Sequence, residues 1–312
     1  MPSFATDVKN ELARQMYEKS CCRTAELAAL LRMGATITLG AQKALGLNFT
    51  TENAAVARKT LQLLKEISEV KTEVTVSRSR RLKKNNSYLI RVVPSQKVGA
   101  LLERIGFLHG TSFNIDGDSA ILRRNCCRIA YLRGAFLGGG SINRPDAGYH
   151  LELVTGSYKF AELLVSLLKR MEMPVGFTDR KEMYVVYLKE GDAVEDFLGM
   201  MQAEKALQVF SVARNIKEVR SQVNRLVNCE TANLQKSVDA AGRQIAAINK
   251  LKARGRLEKL PEILRETAQM RLLHPEVSMT ELAAMLHLGK SGINHRLRKL
   301  QQLANECDEG EE

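Results

Sequence analysis

The chain contains an internal repeat, and this constrains its fold more than any other feature. Cys21-Cys22-Arg23-x-Ala25-x-Leu27 returns as Cys126-Cys127-Arg128-x-Ala130-x-Leu132, and Gly34 and Ile37 return at the same offset as Gly139 and Ile142. Self-similarity of this kind marks one structural unit per copy. The likeness continues downstream. Asn48-Phe49-Thr50-Thr51 and an apolar helix through Leu61, Leu64 and Ile67 align with Glu152-Leu153-Val154-Thr155 and a helix through Val165, Leu168 and Met171. Asn53 and Ser157 stand where each helix needs an N-cap.

Each copy then offers a hairpin. In the first, Glu73 to Ser77 alternates, Asn85-Asn86 turns, and Tyr88, Ile90 and Val92 return. The second runs from Val175 to Thr178, turns near Lys181-Glu182, and returns through Tyr184, Val186 and Leu188. Short helices follow at 96–105 and 192–200. Each copy therefore reads helix, hairpin, helix, hairpin, helix, with one sheet face under helices and the other free.

Charge narrows the partner. A formal net charge of +12 and a pI near 9.5 favour an anion, and nucleic acid first. A membrane partner would need a basic amphipathic anchor, a lipidation signal or an apolar run of roughly 20 residues, and none is found. The polar start, Met1 to Glu11, does not read as a signal peptide. A cytoplasmic, nucleoid-associated protein is expected. Arg78, Arg80, Arg81, Lys83 and Lys84 crowd the first hairpin, with no acidic residue between Val74 and Leu102, and are candidate phosphate contacts.

Signs of catalytic or cofactor chemistry fail on inspection. Gly289-Lys290-Ser291 ends like a phosphate loop, but Ala284 stands where its first glycine belongs and no strand precedes it. Gly138-Gly139-Gly140 follows a helix and opens none. His109, His150, His274, His287 and His295 show no ligand spacing, and Asp116-Gly117-Asp118 reads as a hairpin turn. The cysteines at 21, 22, 126, 127, 229 and 307 lack zinc-finger spacing and read as reduced thiols. A composite metal site from the two adjacent pairs is disfavoured, because neighbouring side chains rarely aim at one ion. No cofactor, metal or small-molecule substrate is expected.

The last third is helical. Leu207, Phe210, Ala213, Ile216, Val219, Val223 and Leu226 form one stripe, Asn228 to Asn233 is expected to break it, and a second helix carries Leu234, Val238, Ala241, Ile245 and Ile248. Beyond Pro261, Ile263, Leu264, Ala268, Leu272 and Leu273 give a first core face, ending at His274-Pro275. Ser278-x-x-Glu281 is a capping box opening a second helix, 279–286. His287-Leu288-Gly289 supplies a glycine turn, and a third helix starts at Lys290-Ser291 and buries Ile293, Leu297 and Leu300. Its outward face shows Ser291, Asn294, His295 and Arg298, with Lys290, Arg296 and Lys299 beside them. This is a helix-turn-helix with a basic recognition helix at about 278–303. Asn and Arg pair with adenine and guanine edges, and the other cations suit phosphates.

Two such repeats resemble the LAGLIDADG homing endonucleases, whose signature helices each end in a metal-binding acid. The corresponding segments are Leu27 to Ala35 and Leu132 to Gly140, and Gly34 and Gly139 stand at the acid positions. Metal-assisted phosphodiester hydrolysis needs carboxylates to hold and orient the ions, and glycine supplies none. No nuclease activity is expected. A degenerate repeat of this kind joined to a helix-turn-helix resembles the bacterial WhiA family. The matching segments are Cys21 to Leu27, Tyr131 to Leu137, Asn228 to Asn233 and Lys290 to Leu297.

The resemblance implies an α+β chain: a duplicated LAGLIDADG (αββαββα) repeat domain, 1–218, followed by an all-α helix-turn-helix domain, 219–305. The repeats fall at about 20–108 and 125–203, and an acidic tail, 306–312, is read as disordered. It also implies a transcriptional regulator of Gram-positive bacteria, tied to cell division, chromosome segregation and sporulation. Its partner would be double-stranded DNA at promoter sites, with a protein co-regulator or division factor as a second candidate. The alternatives are a division or nucleoid factor acting through protein contacts, and a nuclease using unrecognised acids.

Overall fold

A computed structural model describes residues 3–78, 86–110, 112–114 and 120–306. Arg80, Arg81, Lys83, Lys84 and Asn85 of the basic hairpin lie outside the described residues, as do Asp116-Gly117-Asp118 and the tail beyond Glu306. The chain divides into two compact units, up to Lys217 and from Glu218 onward.

In the first unit, Ser3 caps α1 (Phe4–Arg14) by accepting from the Thr6 amide. The first copy follows as α2 (Ser20–Gly34), β1 (Ala35–Leu39), β2 (Leu45–Thr51), α3 (Ala54–Ile67), β3 (Thr72–Arg78), β4 (Asn86–Val92) and α4 (Gln96–Arg104). A small hairpin, β5 (Leu108–His109) and β6 (Ser112–Phe113), leads to the second copy. That copy comprises α5 (Asn125–Gly139), β7 (Gly140–Ile142), β8 (Leu151–Thr155), α6 (Tyr158–Lys169), β9 (Gly176–Arg180), β10 (Met183–Leu188) and α7 (Gly191–Met200). The expected order is found in both copies. Asn53 accepts from the Ala55 and Val56 amides and Ser157 from that of Phe160, so both caps form as read.

The two sheets have matching antiparallel orders, β1-β2-β4-β3 and β7-β8-β10-β9. Register places Leu47 opposite Val92 and Phe49 opposite Ile90, all buried beneath α3 and α4. The opposite face of this sheet carries Thr36, Asn48, Thr50, Thr75, Ser77 and Arg91, with Arg91 paired to Glu73 at 3.8 Å. Asn86 is not a turn residue; it pairs with Arg78 inside the strands. The second hairpin turns at Lys181-Glu182, where φ values of 52° and 65° give the doubly left-handed loop that matches strand twist.

Helices α2 and α5 form the centre of this unit. Both are buried nearly all round, which is why neither shows the one-sided stripe of a surface helix. Gly134 is required at their crossing, because a Cβ there would run into the Glu26 backbone carbonyl and Ala29. Gly134→Ala is therefore expected to cost about 1–3 kcal/mol by overpacking, measured as a lower denaturant midpoint for the full chain.

One continuous helix, α8 (Glu204–Ala253), replaces the two expected across Asn228 to Asn233. Those six residues include no glycine or proline, and Asn233 reaches back one turn to the Cys229 sulfur at 3.7 Å. They interrupt the apolar stripe without interrupting the backbone. Glu11 of α1 accepts from the Lys205 and Ala206 amides and so caps the start of α8.

The second unit packs the end of α8 with α9 (Glu262–Leu273), α10 (Met279–Met285) and α11 (Lys290–Asn305). Ile248, Leu251, Ala268, Leu282, Ile293, Leu297 and Leu300 make its core. Ile263 and Leu273, expected inside, are 53% and 71% exposed, so the buried face of α9 runs through Thr267, Ala268 and Arg271 instead.

Candidate nucleic-acid interface

The helix-turn-helix geometry comes from three local devices. Ser278 and Glu281 form the reciprocal capping box: the Glu281 carboxylate accepts from the Ser278 amide at 2.8 Å, and the Ser278 hydroxyl from the Glu281 amide at 3.3 Å. Arg271, almost wholly buried, donates to the Val277 carbonyl at 2.8 Å and fixes the segment between α9 and α10. The turn into α11 bends at His287, where φ is 53°. Gly289, read from sequence as the turning residue, has an ordinary φ of −78° and serves as N-cap of α11. Asp, Asn and His are the side chains that tolerate left-handed backbone best after glycine, which explains the exchange of roles.

On α11, Ile293, Leu297 and Leu300 face the core as expected. Lys290, Ser291, His295, Arg298 and Lys299 are exposed, and Asn294 is half-buried at the rim of the same surface. The helix carries four Lys or Arg side chains and no acid, so its field is uniformly positive. Arg296 differs from the others. It is half-buried, and its guanidinium reaches the Thr267 hydroxyl of α9 at 3.5 Å, which ties α11 to α9. Lys299 lies 3.5 Å from the Gln302 side chain, one turn on.

In the first unit, Gly34 and Gly139 are the last residues of α2 and α5, at equivalent positions of the two repeats. Neither offers a side-chain ligand. The space beside Gly139 is filled by the Met33 methyl group and the Val154 carbonyl oxygen, and the Phe49 ring lies beside Gly34. An acid could not replace Gly139 without moving Met33. Arg78 is exposed at the end of β3, but on the side of Val74 and Val76 rather than on the polar sheet face. The other four cations of that hairpin are outside the described residues.

Of two further features, the first was missed by the sequence reading and the second was disfavoured by it. The buried ion triad of Glu26, Lys59 and Arg133 joins residues of α2, α3 and α5. The second is the sulfur cluster. The Sγ atoms of Cys21, Cys22, Cys126 and Cys127 all lie within 4.8 Å of one another, contrary to the expectation that adjacent cysteines would diverge. Among the described residues, no other group of three or more His, Cys, Asp or Glu side chains converges in this way.

Comparison with known proteins covers both units. Three family models match: the WhiA N-terminal LAGLIDADG-like domain over residues 20–108, the WhiA LAGLIDADG-like domain over 128–220, and the WhiA C-terminal HTH domain over 223–304. The probable cell division protein WhiA of Desulforamulus reducens is 48% identical, with 99% of this chain and 98% of that protein aligned. Its namesake in Clostridium botulinum is 40% identical over 99% of both chains. The crystal structure of full-length WhiA from Thermatoga maritima matches with a TM-score of 0.58 and 25% identity, covering 98% of this chain and 99% of that one. The expected fold class, a duplicated LAGLIDADG-like region followed by a helical helix-turn-helix domain, is thereby borne out.

Proposed function

This chain belongs to the WhiA family, and from that premise we propose that it is a DNA-binding transcriptional regulator acting in bacterial cell division and the linked processes of chromosome segregation and sporulation. The observation that carries the DNA-binding part is the exposed, acid-free face of α11, which follows the capped helix α10. In this reading α11 enters the major groove. Asn294 and Arg298 contact base edges, Ser291 and His295 add polar contacts, and Lys290 and Lys299 neutralise phosphates. Arg296 positions the helix through Thr267. The basic hairpin, Arg78 to Lys84, supplies sequence-independent phosphate contacts. The division role is supported by the names of the relatives, and promoter binding by the resemblance alone.

The proposal includes the absence of cleavage. Its support is that both repeats end their signature helices in glycine, with Met33 packed beside Gly139. Supercoiled plasmid incubated with the full chain and magnesium or manganese is expected to stay supercoiled. Reproducible nicking or linearisation that requires the metal would overturn this part.

A second reading, a factor acting mainly through protein contacts, is favoured by one observation. Val212, Ile216, Val219, Val223 and Leu226 of α8 are each about half exposed or more, at near-heptad spacing. A recognition-helix variant that loses DNA but keeps its division role would favour it.

A further inference from the structure

We propose that Cys21, Cys22, Cys126 and Cys127 form a four-thiolate site for one tetrahedral, thiophilic metal ion of the zinc class. The sulfurs have the right spacing. A zinc–sulfur bond of about 2.3 Å sets the edge of a ZnS4 tetrahedron near 3.8 Å. Here the two adjacent pairs are each 4.0 Å apart and every pair falls within 4.8 Å. Small rotamer adjustments close that difference. Sulfurs ligating a multi-iron cluster would stand farther apart, and a disulfide would require one pair to close to about 2.05 Å.

The protein around the sulfurs is built alike in both copies. Arg23 donates to the Tyr17 and Glu18 carbonyls, six and five residues before it, and Arg128 donates to the carbonyls of Leu122 and Arg123 at the same offsets. Each arginine thus clamps the chain leading into its own cysteine pair, so the four ligands are held before any ion arrives. Cys22 and Cys127 are buried, while Cys21 and Cys126 keep partial exposure. A cavity of about 410 Å³, bordered by Tyr17, Cys22 and Cys126, gives an entry path.

Charge also favours the bound state. Ligation of one divalent ion releases four thiol protons and leaves a net charge of −2 on the site. The cysteines occupy the first turns of α2 and α5, whose N-termini have no side-chain cap and no acid in the first turn. Their amide dipoles therefore face the new negative charge. The Arg124 guanidinium lies 3.9 Å from the Cys21 sulfur.

The site is distinct from the vestigial nuclease position. Gly34 lies thirteen helical steps beyond Cys21, about 20 Å at 1.5 Å per residue. With two ligands from each copy, the ion would lock the repeats together at the ends of α2 and α5 opposite the two glycines.

The test uses the full chain, purified with reductant under inert gas. Elemental analysis should find about one zinc ion per chain. After chelation, cobalt titration should produce the absorption bands of a tetrahedral thiolate complex. Cys126→Ser should weaken cobalt binding more than about a hundredfold and remove those bands, with an unchanged far-UV circular dichroism spectrum. Cys229→Ser, altering an exposed cysteine of α8, should leave both readouts unchanged. The inference is overturned if the reduced chain binds neither metal, if Cys126→Ser binds cobalt as the parent does, or if mass spectrometry finds the quartet in disulfides under these reducing conditions.

Discussion

Glu26→Ala is expected to destabilise the repeat domain by about 3–5 kcal/mol, the cost of removing one partner from a buried charge network. The Glu26 side chain is fully buried. One oxygen accepts from Arg133 Nε at 2.8 Å, and the other lies 3.1 Å from Lys59 Nζ as an ion pair rather than an aligned hydrogen bond. Both cations are buried too, so alanine at 26 strands two positive charges away from water. The remaining close contacts are neutral, and the Glu66 carboxylate acts on Lys59 more weakly than Glu26 does. Arg133 keeps the Gln15 side chain at 3.1 Å and the Tyr17 ring at 3.6 Å, and Lys59 keeps the Gln15 carbonyl and the Met16 sulfur.

The pH dependence has a definite sign. Burial already pushes the Lys59 ammonium below its ordinary value of 10.5, and Glu26 opposes that push. Without Glu26 the folded variant binds fewer protons at Lys59 than its unfolded chain does. Its stability therefore rises with pH up to about 10.5, so the deficit against the parent narrows in alkaline buffer. Denaturant titration of parent and variant at neutral and alkaline pH measures both effects. A loss below about 1 kcal/mol at neutral pH would show that the triad contributes no more than an exposed pair.

The second large effect concerns DNA. Asn294→Ala and Arg298→Ala are each expected to cost about 1–3 kcal/mol of binding to a selected site and to relax preference at the base each reads. Together they should lower affinity by roughly a hundredfold or more, since the positions lie about one turn apart on one helical face. Lys299→Ala should instead weaken binding to all sequences alike and reduce the salt slope. Titrations at fixed salt against selected and scrambled duplexes separate these outcomes. An unchanged preference in the double variant would remove α11 from the groove.

Much of this architecture was legible because it rests on local chemistry. The repeat, both helix caps at Asn53 and Ser157, the Lys181-Glu182 turn and the Ser278–Glu281 capping box all act between residues close in sequence. The departures arise where packing decides. The polar start concealed α1, although Val8 and Leu12, one turn apart and both buried, carried its signal. Asn228 to Asn233 looked like a break because its side chains are polar, yet nothing in it opposes helical backbone. His287 took the left-handed position that Gly289 seemed to claim. Arg296 matched its cationic neighbours in sequence, and only the approach of α9 separates it from them. The Glu26 triad and the cysteine quartet draw on separate helices, so no spacing along one segment could reveal either.

The most direct test of the central claim is genome-wide mapping of bound sites for the parent and for the Asn294→Ala/Arg298→Ala variant at equal abundance. The account predicts discrete parental peaks that share a motif and vanish in the variant, with no metal-dependent breaks at those sites. Retention of the same peaks by the variant would contradict it.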